Sequence, residues 1–320
     1  MKFQSALALK KRLISQKTVS AAAFASAASL EIQKAAPKVK SAPKLALGIT
    51  GKKNSFKIAI RIQQHSDMLS SFIHDIRTKA KGEVDIKFIG TVRKQAVPWH
   101  QKRNRPLRIG GSVGHCNITA GTLGCFVTKG GDDFILSNNH VLADENRANK
   151  GDVIVQPGPL DGGIVSSGKV GQLHDFIKLK RRGTNLVDCA TASMDEGLEY
   201  FYNHLETLGP IKGVRKTPLE IGETVFKVGR TTGVTKGEVD TVALDQVDVG
   251  FDMGVILFDD QIQIGPVGNT PFSLGGDSGS LIVDSKRRAV GLLFAGNDVD
   301  ATFANPIQTV LDKLKVDLVF

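Results

Sequence analysis

PFSLGGDSGSLIV, residues 271–283, sets three glycines around Asp277 and Ser278 between two apolar stretches. Glycine admits positive φ and lets backbone approach a neighbour closely. A serine bracketed in this way is either part of a tight turn or a presented nucleophile. A serine hydroxyl is a weak nucleophile until a base removes its proton, so the placement of the histidines and acids decides between the two readings.

The seven histidines are His65, His74, His100, His115, His140, His174 and His204, and none follows Ser278. A nucleophile elbow with chain order Ser, acid, His is therefore excluded. The order His, Asp, Ser remains. His140 lies in DDFILSNNHVLAD, at the end of an apolar strand pattern, beside Asn138 and Asn139. Asp188 lies in NLVDCATASM, with Leu186 and Val187 before it and Cys189 and Ala190 after. An acid in that setting is expected to be buried, and a buried carboxylate needs a hydrogen-bonding partner. A histidine N–H is a suitable one. His140, Asp188 and Ser278 are the candidate base, orienting acid and nucleophile.

From Gly110 onward, short apolar runs recur between Gly, Asn and Asp turns: GTLGCFV, DFILS, DVIVQP, ETVFKV, GVILFD, SLIVD and AVGLLFAG. Many short strands with regular turn signals predict a β-sandwich or barrel. About two hundred residues of this texture suit a double β-barrel, with IQTVLDKLKV (307–316) as a closing helix or strand pair. Upstream, Phe56, Ile58, Ile60 and Ile62 alternate as in a half-buried strand. Leu69, Phe72, Ile73 and Ile76 share a helix face, and Val84, Ile86 and Phe88 alternate again. This predicts a small β-α-β unit that packs on the next domain or dimerises. The organisation read here is a basic Ala/Lys-rich tail over 1–55, partly helical or disordered, then the β-α-β unit and a basic linker over 56–108, then the main β domain over 109–320.

The net charge of +10 hides an asymmetry. Residues 1–108 hold 23 Lys and Arg against 5 Asp and Glu, a net of +18, while 109–320 hold 19 against 27, a net of −8. A basic segment suits a regulatory protein partner, nucleic acid or an anionic membrane surface, or it folds back on the acidic domain of its own chain. It lacks the interleaved aromatics of a single-strand binder. Three widely spaced cysteines, Cys116, Cys125 and Cys189, make no disulfide framework and fit a reducing, cytoplasmic compartment. Lys10-Lys11-Arg12 and Lys17 precede TVSAAAFASAAS (18–29), which resembles a signal core. Its Ala/Ser composition weighs against that, and secretion or periplasmic export is the alternative if residues 1–30 act as a signal. No cofactor is implied. His115 beside Cys116 offers only two ligands, too few for a metal site.

Several separate motifs carry a resemblance: AGTLGCFV (120–127), LSNNHVL (136–142), GDVIVQPGPLDGG (151–163), KVGRTTG (227–233), GDSGSL (276–281) and VGLLFAG (290–296). Together they resemble the chymotrypsin/trypsin-like serine proteases, most of all bacterial trypsin-like peptidases related to plant NARROW LEAF 1-type proteins, over about residues 105–320. The resemblance implies a chymotrypsin-like double β-barrel with the active site between the barrels. Ser278 would attack the scissile carbonyl, His140 would take its proton, and Asp188 would hold the imidazole tautomer. The Gly276 and Ser278 amides would form the oxyanion hole.

The resemblance also implies a substrate pocket. Phe272 would stand at its base, where the trypsin type has an acid, which argues against cleavage after Lys or Arg. Phe294 and Gly296 would form its wall. Arg108-Ile109-Gly110-Gly111 is similar to the activated start of zymogens of this family, whose new amine would pair with Asp277. The missing valine and the short distance to His140 weigh against that processing. GRTTG (229–233) has no Walker lysine and is expected to be a hairpin turn. The function expected is a serine endopeptidase making limited cuts in a protein substrate. The alternative is a catalytically silent binding module that uses the basic region to hold nucleic acid or protein.

Overall fold

The computed structural model describes residues 1–15, 45–53, 55–63, 69–89, 92, 96–297 and 300–320. The chain divides into two compact units, Met1–Ala96 and Val97–Phe320.

In the first unit, strand Ser55–Ile62 is central to a three-stranded sheet, antiparallel to Leu45–Lys52 and parallel to Val84–Phe88. A parallel neighbour requires a crossover, and helix Leu69–Lys79 lies within that connection. This is the expected β-α-β unit. Ile58, Ile60 and Ile62 face a core completed by Leu69 and Ile76 of the helix and by Ala6 and Leu13 of helical residues 3–15. Residues 45–52, expected in the tail, are instead a strand whose eight residues all pair with 55–62. A boundary at 55/56 would cut between paired strands. The rest of the basic tail, residues 16–44 with the signal-like TVSAAAFASAAS (18–29), lies outside the described residues.

The second unit begins before the expected 109. Residues expected as linker are built into it: Asn104 N–H and the Arg105 guanidinium both donate to Gln156 Oε1 (2.9 and 2.7 Å), and His100 Nδ1 meets the Arg230 carbonyl (2.5 Å). The rest of the unit is a mainly β, chymotrypsin-like pair of β-structures. The N-terminal member is an eight-stranded antiparallel sheet, including Cys125–Lys129, Asp132–Ser137 and Ala190–Ser193, whose ladder does not close among the described residues. The C-terminal member is a closed six-stranded barrel of Thr224–Gly229, Gly233–Leu244, Gln261–Pro266, Thr302–Pro306, Ala289–Gly296 and Leu281–Asp284. Residues 233–240 alternate strictly between buried and exposed, as a strand with one face in a barrel must. GRTTG is the turn between the first two barrel strands, with Gly229 paired to Gly233.

Helix Ile307–Leu314 buries Ile307, Val310, Leu311 and Leu314, the i, i+3, i+4, i+7 stripe of an amphipathic helix. The chain then returns to the N-terminal sheet, where Asp317–Leu318 pairs with Val127–Thr128. One core runs through both halves, from Phe126 and Ile135 to Leu281 and Leu292, and fixes the cleft between them.

Candidate active site

Strand Asp132–Ser137 buries its last four residues and runs through Asn138 into a one-turn helix, Asn139–Leu142. That turn lifts His140 out of the sheet. Asp188 is fully buried. Its Oδ2 accepts from His140 Nδ1 at 2.5 Å. Its Oδ1 accepts the backbone N–H of Asn139 (2.7 Å) and, more weakly, that of His140 (3.3 Å). The Asp188 main chain is held as firmly: its carbonyl accepts Asn138 Nδ2 (2.7 Å), and its N–H donates to Asn305 Oδ1 (2.9 Å) from the C-terminal barrel. The two asparagines before His140 therefore serve Asp188. Burial works against a charged His140 ring, but the Asp188 carboxylate, by charge and hydrogen bond, and Glu145 outweigh it and raise the His140 pKa above its ordinary value. Cys189, next in chain, is buried and its thiol is pushed far up by burial, so it packs rather than reacts.

Close approach is what requires the glycines beside Ser278. Gly276 and Gly279 have φ of +95° and +93°. A Cβ at Gly279 would stand 2.1 Å from Ser137 Oγ and 2.3 Å from the Thr122 carbonyl, and one at Gly276 would stand 2.6 Å from Thr231 Oγ1. Thr122 pins the turn across the cleft: its N–H donates to the Ser278 carbonyl (2.8 Å) and its Oγ1 to the Gly276 carbonyl (3.0 Å). With those carbonyls held on one side, the Gly276 and Ser278 N–H groups make no hydrogen bond among the described residues. Ser278 Oγ lies 3.4 Å from the Phe294 carbonyl and makes no hydrogen bond to His140 there. Contacts between nucleophile and base are commonly loose before substrate binds.

Between Gly276 and Ser278 sits Asp277, fully buried. Its carboxylate accepts N–H groups from Thr231 (2.8 Å), Thr232 (3.1 Å) and Leu274 (3.0 Å) and the Thr232 hydroxyl (2.7 Å), and it is paired with Lys227 Nζ at 3.2 Å. Lys227 is equally buried, and burial, opposed by Asp277, lowers its pKa. Processing before Ile109, which the sequence weighs against, would bring a new Ile109 amine to Asp277. Instead Ile109 is buried, Leu107–Arg108 pairs with Tyr200–Phe201, and the Arg108 guanidinium lies over the Trp99 and Phe201 rings. Asp277 already has an internal cation.

His140 and Ser278 line one cleft of about 310 Å³ together with Glu145, Phe251, Phe294 and Gly296. Phe294 and Gly296 border this cleft. Phe272 does not. It is only 2% exposed and belongs to the barrel core, 5.9 Å from Lys227 Nζ. The residue expected at the pocket base thus stands in the barrel core instead: it lies in the irregular segment between strands Gln261–Pro266 and Leu281–Asp284, and its neighbours Ser273 and Leu274 line the cleft.

The residues that sequence reasoning left without a role are Thr122, Lys227, Asn305 and the pair Asp161–Arg230. In that pair the guanidinium meets the carboxylate through two bonds (2.6 and 2.7 Å), joining the N-terminal sheet's loop to the barrel. Lys227 did leave a signal. Val225 and Lys227 share the inward face of their strand, and a charge on a core face demands a partner.

Fold and site together define a class: a chymotrypsin-like serine protease fold in which a buried carboxylate orients a histidine in the cleft that holds a glycine-flanked serine. The family model described as the Nal1 C-terminal domain matches residues 206–304. Protein NARROW LEAF 1 of Oryza sativa subsp. japonica is 40% identical over 81 residues, which cover 24% of this chain and 13% of that protein. The match therefore spans only a small part of the relative's length. Among solved structures, a glutamic acid specific serine protease aligns over 67% of this chain and 100% of its own, at 18% identity and a TM-score of 0.49. Thermobifida fusca Protease A aligns over 67% and 99%, at 17% identity and 0.47. An α-lytic protease homologue aligns over 67% and 99%, at 20% and 0.47.

Proposed function

We propose that this chain is a serine endopeptidase that uses His140, Asp188 and Ser278 as base, orienting acid and nucleophile, and makes limited cuts in a protein substrate. The observation that carries the reading is the buried Asp188 carboxylate on His140 Nδ1 at 2.5 Å, in the cleft that also holds Ser278. A His fixed through Nδ1 presents Nε2 as the proton acceptor. Ser278 Oγ transfers its proton to Nε2 as it attacks the carbonyl carbon. The carbonyl oxygen gains the negative charge beside the Gly276 and Ser278 N–H groups. The imidazolium then protonates the leaving amine, and water repeats the sequence on the acyl-enzyme. Asp277, held by Lys227, keeps the two N–H groups aligned without any new chain terminus.

A second reading, a catalytically silent binding module, is favoured by one observation: the Ser278 hydroxyl points to the Phe294 carbonyl rather than to His140. A reactive acyl ester separates the two. The endopeptidase reading predicts a burst and an acyl group mapped by mass spectrometry to Ser278, absent in Ser278→Ala and strongly reduced in His140→Ala. Folded full-length protein that never acylates would leave the binding-module reading.

A further inference from the structure

Between barrel strands Gly233–Leu244 and Gln261–Pro266 the chain makes a separate two-stranded hairpin, Val247–Phe251 against Gly254–Phe258. It leaves the barrel and reaches the His140 loop of the other half. Its tip is latched there. Glu145 accepts the N–H groups of Asp252 (3.1 Å) and Met253 (3.0 Å), one on each carboxylate oxygen. Arg147 bridges Asp252 (3.3 Å) and Asp144 (2.7 Å). Its base is tied to the N-terminal half as well, with Asn185 N–H on the Leu257 carbonyl (2.9 Å) and Asp259 N–H on the Asn185 carbonyl (2.9 Å). The receiving loop is itself in a costly conformation: Asp144, Glu145 and Asn146 have φ of 47°, 52° and 71°. Three consecutive non-glycine residues in the left-handed region persist only where the surroundings hold them.

The latch places apolar side chains in the cleft. Val249 and Phe251 line it with His140 and Ser278. The Phe251 ring stands edge-on to the His140 ring at 5.9 Å. It continues through Phe258 (6.1 Å) to Phe294 (4.7 Å further on), the residue whose carbonyl lies by Ser278 Oγ. Glu145, the one carboxylate among the residues that line the cleft, already accepts two backbone N–H groups, and its charge repels an acidic side chain.

We propose that this hairpin, latched by Glu145, is the specificity wall of the cleft, and that Val249 and Phe251 select a polypeptide carrying a bulky apolar side chain next to the bond presented to Ser278. The inference rests on the endopeptidase reading. Burying such a side chain against an aromatic wall gives roughly tenfold or greater preference over a charged one.

The test uses full-length wild type, Phe251→Ala and Phe251→Leu, each with its competent sites counted by fluorophosphonate labelling, against a peptide library from a digested proteome. Cleavage sites are read by mass spectrometry. Wild type is expected to enrich Leu, Ile, Phe, Val or Met over Asp and Lys at one position flanking the cut, by roughly tenfold or more. The enrichment should collapse per labelled site in Phe251→Ala and persist in Phe251→Leu. Equal use of apolar and charged residues by wild type, or enrichment unchanged in Phe251→Ala, would overturn the proposal. Labelling without cleavage of any peptide overturns the role given to the hairpin and leaves Ser278 as a nucleophile. Wild type that is folded and never labels overturns both.

Discussion

At His140, the carboxylate that orients the ring also decides when it acts as a base. Its pKa is raised, so protonation of His140 stabilises the fold below the ordinary histidine value, and that contribution fades as pH climbs through the raised one. Nucleophile activation needs the neutral ring and runs the opposite way. Labelling of Ser278 against pH should therefore rise with a midpoint above 6.5, the ordinary value. In Glu145→Gln, with one carboxylate fewer beside the ring, the midpoint should move down. A midpoint at or below 6.5 in wild type would contradict the geometry. Lys227 is a second such residue. Lys227→Met leaves Asp277 buried without its cation, and removing one partner of a buried pair costs about 3–5 kcal/mol. The remaining donors to Asp277 place the expectation at the low end, read as a shift in the urea midpoint, with slower Ser278 labelling in the protein that still folds.

Turns carry the site at the level of elements. Gly279 combines a φ of +93° with two contacts a Cβ could not share. Gly279→Ala should lower stability by more than the ~1–3 kcal/mol of backbone strain alone, whereas alanine at Gly130, which is open to solvent and strained only in φ, should cost less. Differential thermal melts of the two variants check this. The barrel strands, the Ser278 turn and the His140 turn were legible in the sequence because period-two alternation and glycine punctuation are local signals. Strand 45–52 was not. Leu45, Leu47 and Ile49 do alternate, but two glycines interrupt the run, it follows a Lys/Ala/Pro-rich stretch, and only Leu45 is buried. Its order comes from the partner strand 55–62 rather than from its own pattern. The hairpin's reach to Glu145 was hidden for the same reason, since it joins residues 107 and 108 positions apart.

For the molecule as a whole, the cleft exists because the two halves of the second unit share one apolar core, and polar fastenings at its edge set the site residues. Thr122 bonds the nucleophile turn, Asn305 bonds Asp188, and Arg230 grips Asp161. Motif reading had marked DGG and GRTTG as separate features, and only the fold joins Asp161 to Arg230. Their side chains are 7% and 9% exposed, so Arg230→Ala, which strands the Asp161 charge, should cost about 3–5 kcal/mol in urea unfolding. Removing both charges with Asp161→Asn and Arg230→Gln should cost less than Arg230→Ala alone. If the double variant were the weaker of the two, the pair would not be what joins these loops.

The proposed activity depends on His140, held by Asp188, activating Ser278. The measurement that tests it most directly is the second-order rate of fluorophosphonate labelling, with the adduct mapped by mass spectrometry, in full-length wild type, His140→Ala and Asp188→Asn at one pH. A single adduct on Ser278 is expected, with a loss of roughly 10³–10⁴ in rate in each variant, the scale at which such triads fail. An adduct elsewhere, or equal rates in all three folded proteins, would contradict it.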